Sequence, residues 1–226
     1  MNKAKITWRE RTSKSKFVDS VWFCSAATKT TRTVFADPCI SISLVKGDST
    51  RVVLRGTKTI PRNEVLAPGY TCLTIRLQPG VILRGFPAQR FIYSAAVLPV
   101  DAEGWFWFEG THLKFPDFDN AELLIDQLDN LGYLRREILS SNNEQAAKIL
   151  STRSYARLIK RTTGLSPYQL HQLQRIHKAL RLLKQGLSAA TVAAELNFVD
   201  QPHLTHATKQ FLGHTPKQLL SLPQIS

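Results

Sequence analysis

Gly164-Leu165-Ser166-Pro167-Tyr168-Gln169-Leu170 returns near the C-terminus as Gly213-His214-Thr215-Pro216-Lys217-Gln218-Leu219. A looser likeness extends upstream. Arg157-Leu158-Ile159-Lys160-Arg161 precedes the first copy and His206-Ala207-Thr208-Lys209-Gln210-Phe211 the second. Self-similarity at a fixed offset marks one supersecondary unit used twice. Both copies hold a helix start: Ser166 or Thr215 as N-cap, Pro167 or Pro216 at the first helical position, and Gln169 or Gln218 reaching back to the cap. Gly164 and Gly213 suit the left-handed residue that ends the preceding helix.

Working outward, each copy follows two short helices joined by a tight turn. In the second, Ser188 caps a helix through Leu196 that buries Val192, Ala193 and Leu196. Asn197-Phe198-Val199 turns, and Asp200 caps a helix with Leu204, Ala207, Thr208 and Phe211 at core spacing. In the first, Gln145–Ile149 and Thr152–Thr162 play the same parts. There Tyr155, Leu158 and Ile159 face inward, while Arg153, Ala156, Arg157 and Lys160 face outward. This spacing predicts two helix-turn-helix units, at about 143–163 and 188–212. Ser166 to about Gln185 joins them, with an apolar stripe (Leu170, Leu173, Ile176, Leu180, Leu183) and Arg175, Lys178, Arg181 and Lys184 around it. About 20 helical residues span roughly 30 Å, near the roughly 34 Å between successive major grooves on one DNA face.

The charge agrees with a polyanionic partner. The chain of 226 residues carries +13, with 16 Lys/Arg against 5 Asp/Glu over 1–100, 1 against 8 over 101–134, and 13 against 4 over 135–226. Nucleic acid is the first partner this implies, an anionic membrane the second. No apolar run approaches the length of a membrane helix, so no membrane partner is expected. Three cysteines without close spacing, Cys24, Cys39 and Cys72, are read as buried reduced thiols and point to the cytoplasm.

Upstream of the helices the signals are β. Residues 1–16 are read as a basic solvated tail. Val21–Cys24, Cys39–Val45, Arg51–Arg55 and Tyr70–Leu77 have strand composition or alternation, separated by turn residues. Trp105-Phe106-Trp107-Phe108 is expected to be a strand buried on both faces. The fold class is therefore α+β: a small antiparallel barrel or sandwich over 17–116, then an all-α part over 117–222. Ala121, Leu124, Ile125, Leu128 and Leu131 form a helical stripe opening that second part, with Asp119 or Asn120 as N-cap. Its acidic face (Glu122, Asp126, Asp129) should point away from DNA.

From about 143 to 222 the chain resembles the DNA-binding domain of the AraC/XylS family of bacterial transcription regulators. The ordered features are Ser151-x-Arg153 with Arg157 and Lys160, Gly164-x-Ser166-Pro167, the basic linker helix, Val192-Ala193-Ala194-Glu195-Leu196-Asn197-Phe198-x-Asp200-Gln201, and Gly213-x-Thr215-Pro216. The resemblance implies a sequence-specific regulator, activator or repressor, that places two recognition helices in adjacent major grooves. It implies base contacts from Arg153, Ala156 and Arg157, and from Gln201, Pro202, His203 and His206. Lys160, Thr205 and Lys209 are then phosphate contacts, and Thr152 belongs to the same face. Three positions depart from the family pattern: Asn197 and Ile149 stand where glycine is usual, and His206 replaces a frequent arginine. A neutral histidine lacks the bidentate fork that reads guanine.

The β-rich part resembles, more weakly, the sensor or dimerisation domains that precede this module. The partners so implied are double-stranded DNA, a small-molecule effector held by residues the sequence does not reveal, a second copy through the N-terminal domain, and RNA polymerase. No cofactor is expected. The rival reading is a thiol- or metal-responsive regulator, or an enzyme of the cupin or alkyl-acceptor type. A cupin metal site needs clustered histidines, and residues 1–111 contain none. No catalytic or metal-ligating residues are therefore assigned, and an enzyme is not expected.

Overall fold

The computed structural model describes residues 6–137 and 151–222. Its centre is a six-stranded antiparallel sheet. In chain order its strands are β1 (Ile6–Thr12), β2 (Val18–Ala26), β4 (Ser41–Lys46), β5 (Arg51–Arg55), β7 (Tyr70–Leu77) and β9 (Ala95–Pro99). They lie in the spatial order β1-β2-β7-β4-β5-β9. Three two-stranded ribbons flank it: β3 (Thr30–Val34) with β6 (Arg62–Leu66), β8 (Val81–Leu83) with β12 (Leu134–Arg136), and β10 (Trp105–Phe108) with β11 (Thr111–Lys114). The sheet is thus layered and open, with β1 and β9 as its edges.

Alternation along the strands gives the sheet two unlike faces. One presents Val21, Ile42, Val52, Leu54, Ile75 and Leu77 to a core shared with Phe86, Phe106, Phe108, Leu113 and Phe115. The other carries Ser20, Trp22 and Cys24 of β2 opposite Arg76, Thr74 and Cys72 of β7, with Ser41, Ser43 and Val45 of β4 alongside. A face so polar is not simply buried in a core. It borders the β3–β6 ribbon and a helix from the C-terminal part.

Three expectations change here. Residues 6–12 are not a solvated tail but edge strand β1, in register with β2 from Ile6↔Ala26 to Thr12↔Ser20. The helix expected to open the helical part is α1 (Glu122–Asn130), and its Leu124, Ile125 and Leu128 lie in the β-domain core. Leu131 stays exposed, and the N-cap position is Ala121 rather than Asp119 or Asn120. The two changes have one cause. Arg11 donates 2.7 Å hydrogen bonds to both carboxylate oxygens of Glu122, Lys16 lies 3.4 Å from Asp129, and Arg9 stacks on Phe118 at 4.3 Å. The basic start of the chain therefore docks on the acidic helix. Third, the strand Trp105–Phe108 is buried on one face only: Phe106 and Phe108 are enclosed, while Trp107 is 62% exposed and stacks on His112.

The C-terminal helices are α2 (Thr152–Thr163), α3 (Pro167–Lys184), α4 (Ala189–Glu195), α5 (Gln201–Leu212) and the short α6 (Pro216–Leu219). The repeated phrase does what its residues dictate. Ser166 and Thr215 accept from the backbone of Gln169 and Gln218, whose side chains return the bond. Gly164 and Gly213 both have φ of 76°. Ser151, Ser188 and Asp200 cap α2, α4 and α5. The expected helix at Gln145–Ile149, with the departure at Ile149, lies outside the described residues.

The two parts are joined by a wedge, Phe35-Ala36-Asp37, that leaves β3. Phe35 packs into the cluster of α3, α4 and α5, and Ala36, fully buried, into that of Ile159, Leu165, Leu170 and Leu173. The Ala36 N–H donates to Phe211 O at 2.9 Å, and His177 Nε2 lies 2.7 Å from Ala36 O. Asp37 ties the wedge back to the sheet. It accepts from Arg76 at 2.9 and 2.8 Å and exchanges backbone bonds with Lys58. Thr57 Oγ1 donates to Thr163 O at 3.0 Å, and Thr33 lies 2.8 Å from His214 Nε2.

Two outcomes follow. A methyl group at Gly56 would run into the backbone carbonyl of Phe91. Gly56→Ala should therefore lower stability by about 3 kcal/mol, read as the shift in a urea unfolding midpoint. At His177, burial and then the charge of Arg76 lower the pKa, outweighing the opposite pull of Asp37, of the Ala36 carbonyl and of Asp19. A histidine whose folded pKa lies below its unfolded value of about 6.5 adds stability above that pH and loses it as pH falls through the folded value. The melting temperature should accordingly drop on acidification from about pH 7.5 to about pH 5.5. The drop should be smaller in His177→Gln, which keeps a donor for Ala36; equal drops would remove His177 as the cause.

Candidate nucleic-acid interface and interdomain cavity

On α2 Ile159, Thr162 and Thr163 are buried, with Tyr155 and Leu158 partly so. The helix leaves Thr152, Arg153, Arg157, Lys160 and Arg161 exposed and Ala156 half-buried. Residues 153, 157, 160 and 161 stand at helical spacing on one side, so a cationic stripe runs the length of the helix. Arg161 was not singled out from sequence. It extends the stripe and lies 3.7 Å from Glu137 of the β part.

On α5 the core takes Leu204, Ala207, Thr208 and Leu212. Gln201, Pro202, His203, His206 and Lys209 are exposed and Thr205 half-buried. Gln201, Pro202, Thr205, His206 and Lys209 line one shallow surface groove. His203 is held differently. Its Nδ1 accepts from the Val199 N–H at 3.2 Å, and its ring meets Phe198 edge-on at 5.3 Å. With Nδ1 an acceptor, the neutral ring carries its proton on Nε2, so His203 presents a donor outward.

The turn before α5 shows why asparagine serves there. Asn197 has φ of 56°, the left-handed region this side chain tolerates. Its carbonyl accepts from Arg175 Nη2 at 2.6 Å, that of Leu196 from Arg175 Nε at 2.9 Å, and the guanidinium lies 3.6 Å over the Phe198 ring. Arg175, expected only as part of the charged surround of α3, thus fixes the second helix-turn-helix to the linker helix. Beside it Val199 is 87% exposed, and at the start of α3 Tyr168 is 73% exposed.

Where the polar face of the sheet meets β3–β6 and α3 there is a cavity of about 470 Å³. Trp8 and Trp22, stacked with centroids 4.6 Å apart, form an aromatic wall with Phe35 and Leu180 nearby. The rest is charged. Arg32 pairs with Glu64 at 2.6 Å, Arg76 with Asp37 at 2.8 Å and with Asp19, and Lys184 with Glu10 at 3.2 Å. Arg55, Lys58, Arg62 and Arg181 also line it and pair with no carboxylate among the described residues. Burial opposes ionisation of Asp37, but the charge and hydrogen bonds of Arg76 outweigh it and hold the carboxyl far below its usual range. Burial lowers the Lys58 pKa against the pull of Asp37, with Arg55, Arg62 and Arg76 adding repulsion. The cavity is therefore amphipathic with a surplus of positive charge. Sequence could not show it, because its walls come from both parts of the chain. Among the described residues no group of three or more histidines, cysteines or carboxylates could hold a metal. Among the described residues no helix is long and apolar enough to cross a membrane.

Residues 147–221 match the family model described as a helix-turn-helix domain. No curated protein matches the sequence. Among solved structures the chain is similar to ToxT from Vibrio cholerae, at 10% identity and a TM-score of 0.47, over 95% of this chain and 98% of that one. It is similar also to ToxT with an unsaturated fatty acid bound, at 11% identity and a TM-score of 0.44, over 95% and 94% of the two chains. The matched span takes in the capped helices α2 and α5 and the linker helix α3. Residues 147–221 of the chain thus form a helix-turn-helix domain.

Proposed function

We propose that the chain is a transcription regulator that reads an asymmetric DNA site with α2 and α5 in successive major grooves, under the control of an amphipathic anion held in the interdomain cavity. The observation that carries the DNA half is the pair of exposed polar faces, each on a helix capped at its start and stopped by a left-handed glycine. Arg153 and Arg157 present the guanidinium forks that suit guanine, and Gln201 an amide that suits adenine. Ala156 and Pro202 offer apolar contact. His203 and His206 each offer a single hydrogen-bonding edge, so the α5 half-site should discriminate less sharply than the α2 half-site. Thr152, Lys160, Thr205 and Lys209 sit at the margins of these faces, where phosphates run.

The cavity carries the other half. A stacked indole wall suits a hydrocarbon or aryl body, and the unpaired cations suit a carboxylate. Occupancy would bear on DNA binding directly, since Asp37, Arg76 and His177 line the cavity and hold the wedge that touches both α3 and α5.

Arg157→Ala should cost about 1–3 kcal/mol on a site selected from a random duplex pool. Against random duplex the loss should be smaller. Equal losses in a mobility-shift titration would reduce Arg157 to a phosphate contact. For the cavity, isothermal titration of the full chain with an unsaturated long-chain fatty acid should show one site. The corresponding alcohol should bind at least tenfold more weakly, because about 1.4 kcal/mol of charge attraction is lost. If acid and alcohol bind alike, the cationic wall is not an anion site.

A further inference from the structure

Cys24 and Cys72 lie far apart in sequence, yet β2 and β7 place them directly opposite one another. Both are fully buried on the sheet face that borders the interdomain cavity. The two thiols are electrostatically coupled. Arg32 Nη1 lies 3.0 Å from Cys24 Sγ, and Cys72 Sγ lies 3.4 Å from Thr74 Oγ1. Arg32 and Thr74 both line the cavity. The sulfur pair therefore sits one side-chain layer beneath the cavity floor, with a guanidinium as its cover.

The backbone already meets the requirements of a disulfide. Directly opposed residues of an antiparallel pair have Cα atoms about 4.5 or 5.5 Å apart, according to the pair type. Disulfides span about 4.4–6.8 Å, so either type allows the bond with side-chain rotation alone. The electrostatics favour one thiolate. The neighbouring Cys24 lowers the Cys72 pKa; burial opposes this, and Arg32, Arg55 and Thr74 reinforce it. The same coupling, with burial, raises the Cys24 pKa. The pair thus keeps one proton more readily than two, which leaves one sulfur to attack and the other to resolve. Cys39 has no second thiol across from it and sits beside Asp37, where burial pushes its thiol up.

We infer that Cys24 and Cys72 form a redox-active dithiol, oxidised to a cross-strand disulfide by a hydroperoxide that enters the interdomain cavity. The Cys72 thiolate attacks the O–O bond, forms a sulfenic acid and releases the second oxygen as water (or as an alcohol, from an organic hydroperoxide) with the proton it gathers. The Cys24 sulfur then attacks the sulfenic sulfur; the S–S bond forms, S–O breaks, and the hydroxyl leaves as water with the Cys24 proton. Two electrons pass from the two thiols to one peroxide. The disulfide removes the sulfur acceptor that Arg32 uses, leaving that guanidinium to Glu64 and Tyr70. Oxidation thereby alters the cavity wall whatever its occupant.

The test uses the full reduced chain under native conditions with hydrogen peroxide, then non-reducing peptide mapping. The expected product joins the Cys24 and Cys72 peptides, reverses with dithiothreitol and leaves Cys39 reduced. Cys24→Ser should stop the reaction at a Cys72 sulfenic acid trapped by dimedone, and Cys72→Ser should leave Cys24 unreacted. If either variant fails to fold, the wild-type map alone decides. The inference falls if the pair stays reduced at peroxide levels that oxidise an unstructured cysteine peptide. It falls equally if Cys39 is the residue modified, or if the link appears only in denaturant.

Discussion

Ala36 holds the molecule together. Its methyl group is fully enclosed by Ile159, Leu165, Leu170 and Leu173, its N–H is spent on α5 and its carbonyl on α3. A buried backbone group left without a partner costs about 1–3 kcal/mol. The helical part cannot move off the β part without exposing or orphaning two such groups at once. Any larger residue at position 36 would meet the four side chains that join α2 to α3. The wedge thus couples the docking of the domains to the internal packing of the first helix-turn-helix.

The wedge is held from behind by charge. Arg76 stands between Asp37 and Asp19, largely enclosed, a geometry in which breaking one partner costs more than the pair contributes. That arrangement is a poor source of stability and a good source of position. It fixes Asp37, whose backbone is paired with Lys58, and so aims Ala36. The same ions form the cavity floor, so the polar face of the sheet serves the interface and the cavity together. The opposite face, all aliphatic and aromatic, carries the folding core and absorbs α1.

The sequence made the helical part legible because its signals are local. Caps at Ser166, Thr215 and Asp200, glycine stops and the apolar stripe of α3 all act within a few residues, and each is where its chemistry puts it. Strands with clean alternation, such as Tyr70–Leu77, were equally plain. What stayed hidden was long-range. The edge strand Ile6–Thr12 reads as a charged tail because its arginines face acidic residues more than a hundred positions away. Helix α1 reads as the start of the helical part because periodicity says that a face is buried, not against what. Trp105 and Trp107 read as core because hydrophobicity is a one-way guide to burial. Cys24 and Cys72 look unrelated until register sets them side by side.

A cavity walled by two domains constrains how its ligand can act. A molecule that touches both walls must bind the docked arrangement better than the undocked one, and it can shift the balance only by that difference. In the docked arrangement the β part grips α2 at its end, through Thr57 to Thr163, and α5 at its end, through Ala36 to Phe211. The spacing between α2 and α5 is then set by the β sheet as well as by α3. On the proposed reading the ligand therefore does not touch the DNA-binding face. It makes that spacing rigid, and the sign of regulation depends on whether the spacing so fixed matches successive grooves of the duplex. Unlocking the wedge would free the two helices to adjust, at the entropic cost of ordering them on DNA. On the proposed reading, a single structural element thus decides between a preformed reader and an adaptable one.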